Sequence, residues 1–182
     1  MPTLEKERKD MSFTLSTKSL KKLNGVNDSL ERCVKKAIEL TKIDFGVICG
    51  LRTLAEQQAL VDKGASQTLK SKHLDGLAVD LMAYVGGRAS WELNLYDDIA
   101  DAMKEAAALE NVGIRWGAAW HIDDIRTWDG TMQDAMNAYI DLRRGQGRRP
   151  FIDGPHFELA LWVCGYQLYL YVQHLMHRLV LL

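Results

Sequence analysis

At 182 residues the chain suits one domain, with enough bulk to bury roughly 70% of its unfolded surface without staples. Lys plus Arg number 23 against 24 Asp plus Glu, for a net charge of −1. That balance excludes an electrostatic case for nucleic acid or another polyanion as partner. The three cysteines, Cys33, Cys49 and Cys164, form no C-x-x-C pair and read as reduced core thiols in a cytosolically made protein.

The opening residues 1–12 are polar and lack the apolar core of a secretory signal, so they are expected to be disordered, with Met11 an alternative start. "NDSLERCVKKAIELTKI" predicts a helix. Asp28 and Glu31 form a capping box there, and Leu30, Val34, Ile38 and Thr41 follow at helical spacing. "DFGVICGLR" predicts a strand with Phe45, Val47, Cys49 and Leu51 on one side. Thr53 with Glu56 opens a second helix, which Gly64 ends. "LAVDLMAYV" is the next strand, and "LNLYDDIADAMKEAAALE" a helix with Leu95, Ile99, Met103 and Ala106 on one face. "IRWGAAW" is expected to be extended, "GTMQDAMNAYIDLRRG" helical and "HFELALWV" a strand or the start of another element. Helices mixed with antiparallel strands, without a βαβ rhythm, define an α+β class.

Two stretches carry chemistry. In "SKHLDGLAVDLMAY", His73 precedes Asp80, which sits between Val79 and Leu81, where an unpaired carboxylate is costly. Their odd separation puts them on opposite faces of any flat strand, so Gly76 must bend the chain to bring His73 back over Asp80. In "FIDGPHFEL", Gly154 and Pro155 form a tight turn that projects Asp153 and His156 into one space. His73, Asp80 and His156 make up the three-ligand set of a catalytic zinc site, with Asp153 as the general base and Arg52 placed to meet an oxyanion. Plainer readings stand beside these. Asp80 could face solvent at a strand end, and Arg52 could pair with Glu56. His121, with Asp123 and Asp124, forms a rival cluster but lacks a converging turn. His121, His174 and His177 therefore read as ordinary histidines.

The pattern S-x-H-x-x-G-x-A-x-D, spelled by Ser71, His73, Gly76, Ala78 and Asp80, is followed downstream by D-G-P-H-F-E. Together they resemble the zinc peptidases of the D-Ala-D-Ala carboxypeptidase type. More closely, "GLRTLAEQQALVDKGASQTLKSKHLDGLAVDL", "GIRWGAAW" and "FIDGPHFEL" resemble the phage endolysins of the L-alanyl-D-glutamate peptidase group, from about Phe13 to Leu159. The resemblance implies a Hedgehog/DD-peptidase α+β fold over residues 13–159, with a small antiparallel sheet and flanking helices around one Zn2+ site. It implies His73, Asp80 and His156 as ligands, Asp153 as base, Arg52 steadying the substrate carbonyl and Ser71 touching substrate. Trp116 and Trp120 match the family's W-G-x-x-W stretch, as cleft wall or as core aromatics.

The implied activity is hydrolysis of a peptide bond in the peptidoglycan stem, L-Ala-D-Glu, by a monomer held in the host cytoplasm until a holin, or its own tail, admits it to the wall. A D-Ala-D-Ala carboxypeptidase or dipeptidase, or a non-catalytic wall-binding module, are the alternatives. Such enzymes commonly end soon after H-F-E-L, whereas this chain continues through residues 160–182. There Trp162, Tyr166, Tyr169, Val172, Met176 and Leu179 fall at helical spacing, opposite Gln167, His174 and Arg178. An amphipathic helix docked on the domain or on a membrane is expected, with an anchor or a non-native reading frame as alternatives.

Overall fold

The computed structural model describes residues 12–66 and 68–160. The expectations for the leading segment 1–11 and for the tail beyond Ala160 lie outside the described residues. The elements run α1 (Thr17–Lys22), α2 (Asp28–Leu40), β1 (Asp44–Cys49), α3 (Leu54–Asp62), a 3₁₀ turn (Lys72–Asp75), β2 (Ala78–Val85) and β3 (Arg88–Ser90). They continue with α4 (Leu93–Leu109), β4 (Ile114–Trp116), a 3₁₀ turn (Ile125–Thr127), α5 (Met132–Gly145) and β5 (His156–Leu159). The sheet is antiparallel, in the order β1-β2-β5-β4, with β3 folding back on β2. The α+β class is the one expected from the sequence.

Alternation along the strands divides the sheet into two faces. Phe45, Val47, Val79, Leu81, Ala83, Ile114, Trp116 and Phe157 join the helices in one buried core. Helix α4 supplies Leu95, Ile99, Met103 and Ala106 to it, and packs between α2 and α5. Each large aliphatic side chain buried there contributes roughly 1.5–3 kcal/mol. Residues of the opposite parity, Asp80, Arg115, His156 and Glu158, point the other way. The functional groups therefore share the face that the core helices leave free.

Three local features differ from the sequence expectation. Asn27, not Asp28, caps α2, its side-chain oxygen accepting from the Ser29 amide at 3.0 Å. Strand β1 ends at Cys49, so Leu51 lies beyond it and is exposed rather than on the buried side. Strand β3 and helix α1 carry too little apolar periodicity to be seen in advance. Helix α1 still matters, because buried Ser19 accepts the Val47 amide of edge strand β1 at 3.1 Å.

One core group is under electrostatic strain. Asp97 on α4 is only 6% exposed, and its Oδ1 finds no partner among the described residues. Burial, with Asp101 and Asp98 adding like charge, pushes its carboxyl up from 3.8 to about 6. A raised folded pKa means that the charged form destabilises the fold. The penalty is absent below about pH 4 and complete above about pH 6. Asp97→Asn is expected to stabilise the protein at pH 7.5 by about 1–2 kcal/mol, somewhat less than the shift alone converts to because an amide stays buried. No gain is expected at pH 4. Thermal melts across that range check this, and a gain independent of pH would contradict it.

Candidate metal centre and active site

The centre is built on one row across the sheet. Asp80 of β2 lies opposite Cys49 of β1 on one side and His156 of β5 on the other. A bulge makes the first pairing possible: Val47 faces Leu81 and Cys49 faces Asp80, so Ile48 is the extra residue. Without it, alternation would turn Cys49 toward the core.

His73 arrives from above. The 3₁₀ turn Lys72–Asp75 is capped by Ser71, whose Oγ accepts from the His73 amide at 3.4 Å, and ends at Gly76 with φ +66°. A Cβ at Gly76 would stand 2.2 Å from the Gly25 carbonyl oxygen, so only glycine fits this left-handed corner. The bend inferred from the sequence is there. Its effect is to set His73 Nε2 3.1 Å from Asp80 Oδ1.

The third arm is the turn before β5. The Asp153 amide donates to the Gly117 carbonyl at 3.0 Å, and the Gly117 amide to the His156 carbonyl at 2.8 Å. A Cβ on Gly117 would sit 3.0 Å from the Cβ atoms of both Asp153 and His156, so those side chains spring from one spot beside a glycine that leaves them room. Trp116 is fully buried, stacks on Phe157 and donates its indole N–H to the Gly154 carbonyl at 2.8 Å. Trp116 therefore braces the turn from the core side, as the core-aromatic alternative has it, and does not line the cleft. Trp120 is half-buried, with its ring centroid 5.6 Å from that of His156 and 6.4 Å from that of Phe151.

His73 Nε2, His156 Nδ1 and Asp80 Oδ1 stand 3.1, 3.1 and 3.3 Å apart. Ligand bonds of 2.0–2.1 Å in tetrahedral array give edges of about 3.3 Å, so the spacing is that of donors around zinc. The outer nitrogens agree. His73 Nδ1 donates to the Gly50 carbonyl at 2.8 Å, and His156 Nε2 to Glu158 at 3.2 Å. Each ring thus turns its lone pair inward, as metal-ligating histidines do. Arg115 holds Glu158 in turn, at 3.0 Å.

Three electron-rich atoms facing one another require positive charge between them. Burial is the largest single influence and opposes charge on both rings, but Asp80 acting together with Cys49 at His73 and with Glu158 at His156 outweighs it, raising His73 to about 10 and His156 to about 9. Burial likewise works against the Asp80 anion, but the two rings hold its carboxyl well below the usual range. A divalent cation meets the same demand and displaces the protons. The residues fit a metal.

Arg52 completes the inner wall. Its guanidinium meets Gln57 at 2.6 Å, Cys49 Sγ at 3.2 Å and Asp80 Oδ2 at 3.3 Å. Glu56 is engaged by its own helix cap, which removes the plainer Arg52–Glu56 pairing. Burial raises the Asp153 carboxyl, and the cationic neighbours only partly offset it. His121 stacks on Tyr139, while Asp124 binds Arg126 and Asp123 lies 3.7 Å from Arg115, so that rival cluster does not converge.

Cys49 and Gln57 escaped the sequence reading. The sequence suggests a core thiol at Cys49; in the structure it is half-buried at the site, and with His73 and Asp80 it forms a group close enough to share an ion. Only a bulge announces it, and a bulge has no fixed residue signature. Two ligand sets therefore share His73 and Asp80, and imidazole lone-pair direction favours His156 over Cys49. Cys49→Ser is accordingly expected to keep one metal per chain, while His156→Ala loses it. Elemental analysis of both variants decides between the sets, and metal lost with Cys49 would reverse the choice.

The described chain is thus a small α+β protein whose free sheet face carries one compact cluster able to hold a metal ion. It belongs to the phage L-alanyl-D-glutamate peptidase family, whose family model matches residues 11–160. It is 31% identical over 131 residues to the L-alanyl-D-glutamate peptidase of Escherichia phage T5, covering 66% of this chain and 96% of that one. A second relative of the same name, from Listeria phage A118, is 29% identical over 107 residues, 57% of this chain but only 37% of the relative. The crystal structure of the Serratia marcescens L-Ala D-Glu endopeptidase ChiX is similar at TM-score 0.61 and 31% identity, over 82% of this chain and 92% of that chain.

Proposed function

We propose that this protein is a zinc-dependent endolysin that hydrolyses the L-Ala-D-Glu bond of the peptidoglycan stem peptide. The observation that carries the reading is the His73–Asp80–His156 triangle, with both outer ring nitrogens donated to oxygen acceptors. The family supplies the bond. Zinc bound there supplies Lewis acidity, polarising a carbonyl and bringing the ionisation of water toward neutral pH.

The chain's own residues do the rest. Asp153 takes a proton from the attacking water and returns it to the leaving amine; its raised pKa suits a group that must both accept and release. Its carboxylate makes no hydrogen bond within the described residues, so it is free to do so. Arg52 orients Asp80 and is the cation in contact with the cluster, placed to meet the charge developing on the carbonyl oxygen. Gln57 fixes the guanidinium plane and, through Ser66 Oγ and the Thr68 carbonyl, ties the loop before His73 to α3. Ser71 shapes the His73 turn, with a substrate contact as a further role. Trp120, its ring tilted against that of His156, forms the wall along which the peptide lies.

Action on the wall accords with an enzyme held in the host cytoplasm until a holin opens the membrane, working as a monomer. Among the described residues no helix is long and apolar enough to cross a membrane. Digestion of purified sacculi, with fragments mapped by mass spectrometry, tests the reading. New N-terminal D-glutamyl ends are expected. Release of terminal D-Ala alone would point to the carboxypeptidase alternative, and no release to the non-catalytic one.

A further inference from the structure

The near-neutral net charge conceals a local imbalance just upstream of Asp153. Helix α5 ends in Arg143 and Arg144, the chain turns through Gly147 at φ +67°, and Arg149 follows. With Pro150, Phe151 and Ile152 these arginines line a cavity of about 910 Å³. None of the three makes an ion pair with a described acid, and the Arg143 Nε is buried without a partner among the described residues. Arginine near a helix C-terminus commonly just complements the helix dipole. That explains neither Arg149, nor the cavity, nor a buried donor left open.

The cavity adjoins the catalytic centre. Phe151 is 53% exposed and stacks on Trp120, which lies against His156. Those two ring-to-ring steps place Phe151 at most about 12 Å from His156. An extended peptide advances about 3.3–3.6 Å per residue, so a substrate lying along Trp120 reaches the cavity about three to four residues from the cleaved bond. Guanidinium forks match carboxylates in pairs of parallel hydrogen bonds. Three guanidinium groups gathered in one cavity beside Pro150, Phe151 and Ile152 suit an anionic group of the substrate.

We propose that Arg143, Arg144 and Arg149 form a remote subsite that binds carboxylate groups of the stem peptide beyond the cleaved bond. The proposal rests on the peptidase reading above, since it is the substrate's course past Trp120 that leads into the cavity. Occupancy by a carboxylate anchors the peptide at its far end and lowers KM, without touching the reacting atoms.

The test uses the full-length metal-loaded protein and two synthetic peptides. Both contain L-Ala-D-Glu followed by a three-residue neutral extension, one ending in a free carboxylate and the other in its amide. The unextended core, amidated at its end, serves as reference. The wild type is expected to favour the acid over the amide about tenfold in KM, with equal kcat and a preference that fades in high salt. The triple variant Arg143→Gln/Arg144→Gln/Arg149→Gln should lose that preference, keep kcat, and treat the unextended core as the wild type does. Calorimetric titration with the two product peptides reads the same preference without turnover. Failure of the activity assignment, seen as no cleavage of any peptide, therefore stays distinguishable from failure of the subsite. Equal affinity of the wild type for acid and amide overturns the proposal. So does a triple variant that keeps the preference, or one that loses only affinity for anionic vesicles or wall polymer. Should the triple variant not fold, the wild-type preference and the single Arg149→Gln variant decide the matter.

Discussion

Asp153→Asn is expected to lower kcat on a defined L-Ala-D-Glu peptide by about 10²- to 10⁴-fold while leaving one metal per chain and an unchanged melting temperature. The amide has the carboxylate's shape, and the side chain takes no part in the His73–Asp80–His156 triangle. The backbone bonds that hold the turn, from the Asp153 amide to Gly117 and from His156 back to Asp153, do not involve it. Proton transfer is what disappears. The pH profile sharpens the test, because the base must be ionised to act. The wild-type rate should therefore climb with pH through an acidic limb as the Asp153 carboxyl ionises, and that limb should vanish in the variant. Near-normal turnover would move the role to another group. Glu158 is a poor candidate, since it is tied to His156 and Arg115 and, despite its burial, held below its usual value by them.

Metal removal should be more severe still. Treatment with a strong chelator is expected to abolish hydrolysis, and one equivalent of zinc to restore it. Stability should move too. A ligand present at a thousand times its Kd stabilises the native state by about 4 kcal/mol, which for a chain of this size is a drop in Tm of about 8–16 °C on its removal. The apo centre keeps two imidazoles and a carboxylate pressed together, balanced only by protons. The loss should therefore be larger at pH 8 than near pH 6, where protons compete with zinc and hold part of the cluster together themselves. Chelator-resistant activity in protein shown by elemental analysis to contain no metal would sink the assignment.

How far the sequence foretold this depends on what each feature rests on. Helices α2, α4 and α5 were legible because an apolar stripe at helical spacing has one way to be buried, and the Thr53–Glu56 capping box formed as written. The corner at Gly76 was legible because few residue types adopt its left-handed backbone, and the turn at Gly154-Pro155 because that dipeptide favours one. His73, Asp80 and His156 were named from the two motifs, and the structure brings them together. What could not be read is register. Nothing in "DFGVICGLR" announces that Ile48 bulges out and that Cys49 then lands opposite Asp80. Nor does the sequence say that Trp116 is buried while Trp120, four positions on, lines the site. That difference follows from β4 ending at Trp116 and from which face of the sheet the chain leaves.

The pairing of Asp80 with His156 has a consequence for how the enzyme comes into being. Those residues lie 76 positions apart, and α4, β4 and α5 all fall between them. The donor triangle cannot exist while the ribosome is still making that intervening stretch, because its last corner, His156, lies on β5, the last of the described strands in the sequence. A growing or half-folded chain is therefore without a working centre, however well its early helices have formed. The donor triangle is complete only where β5 lies between β2 and β4, so the metal centre depends on the finished sheet.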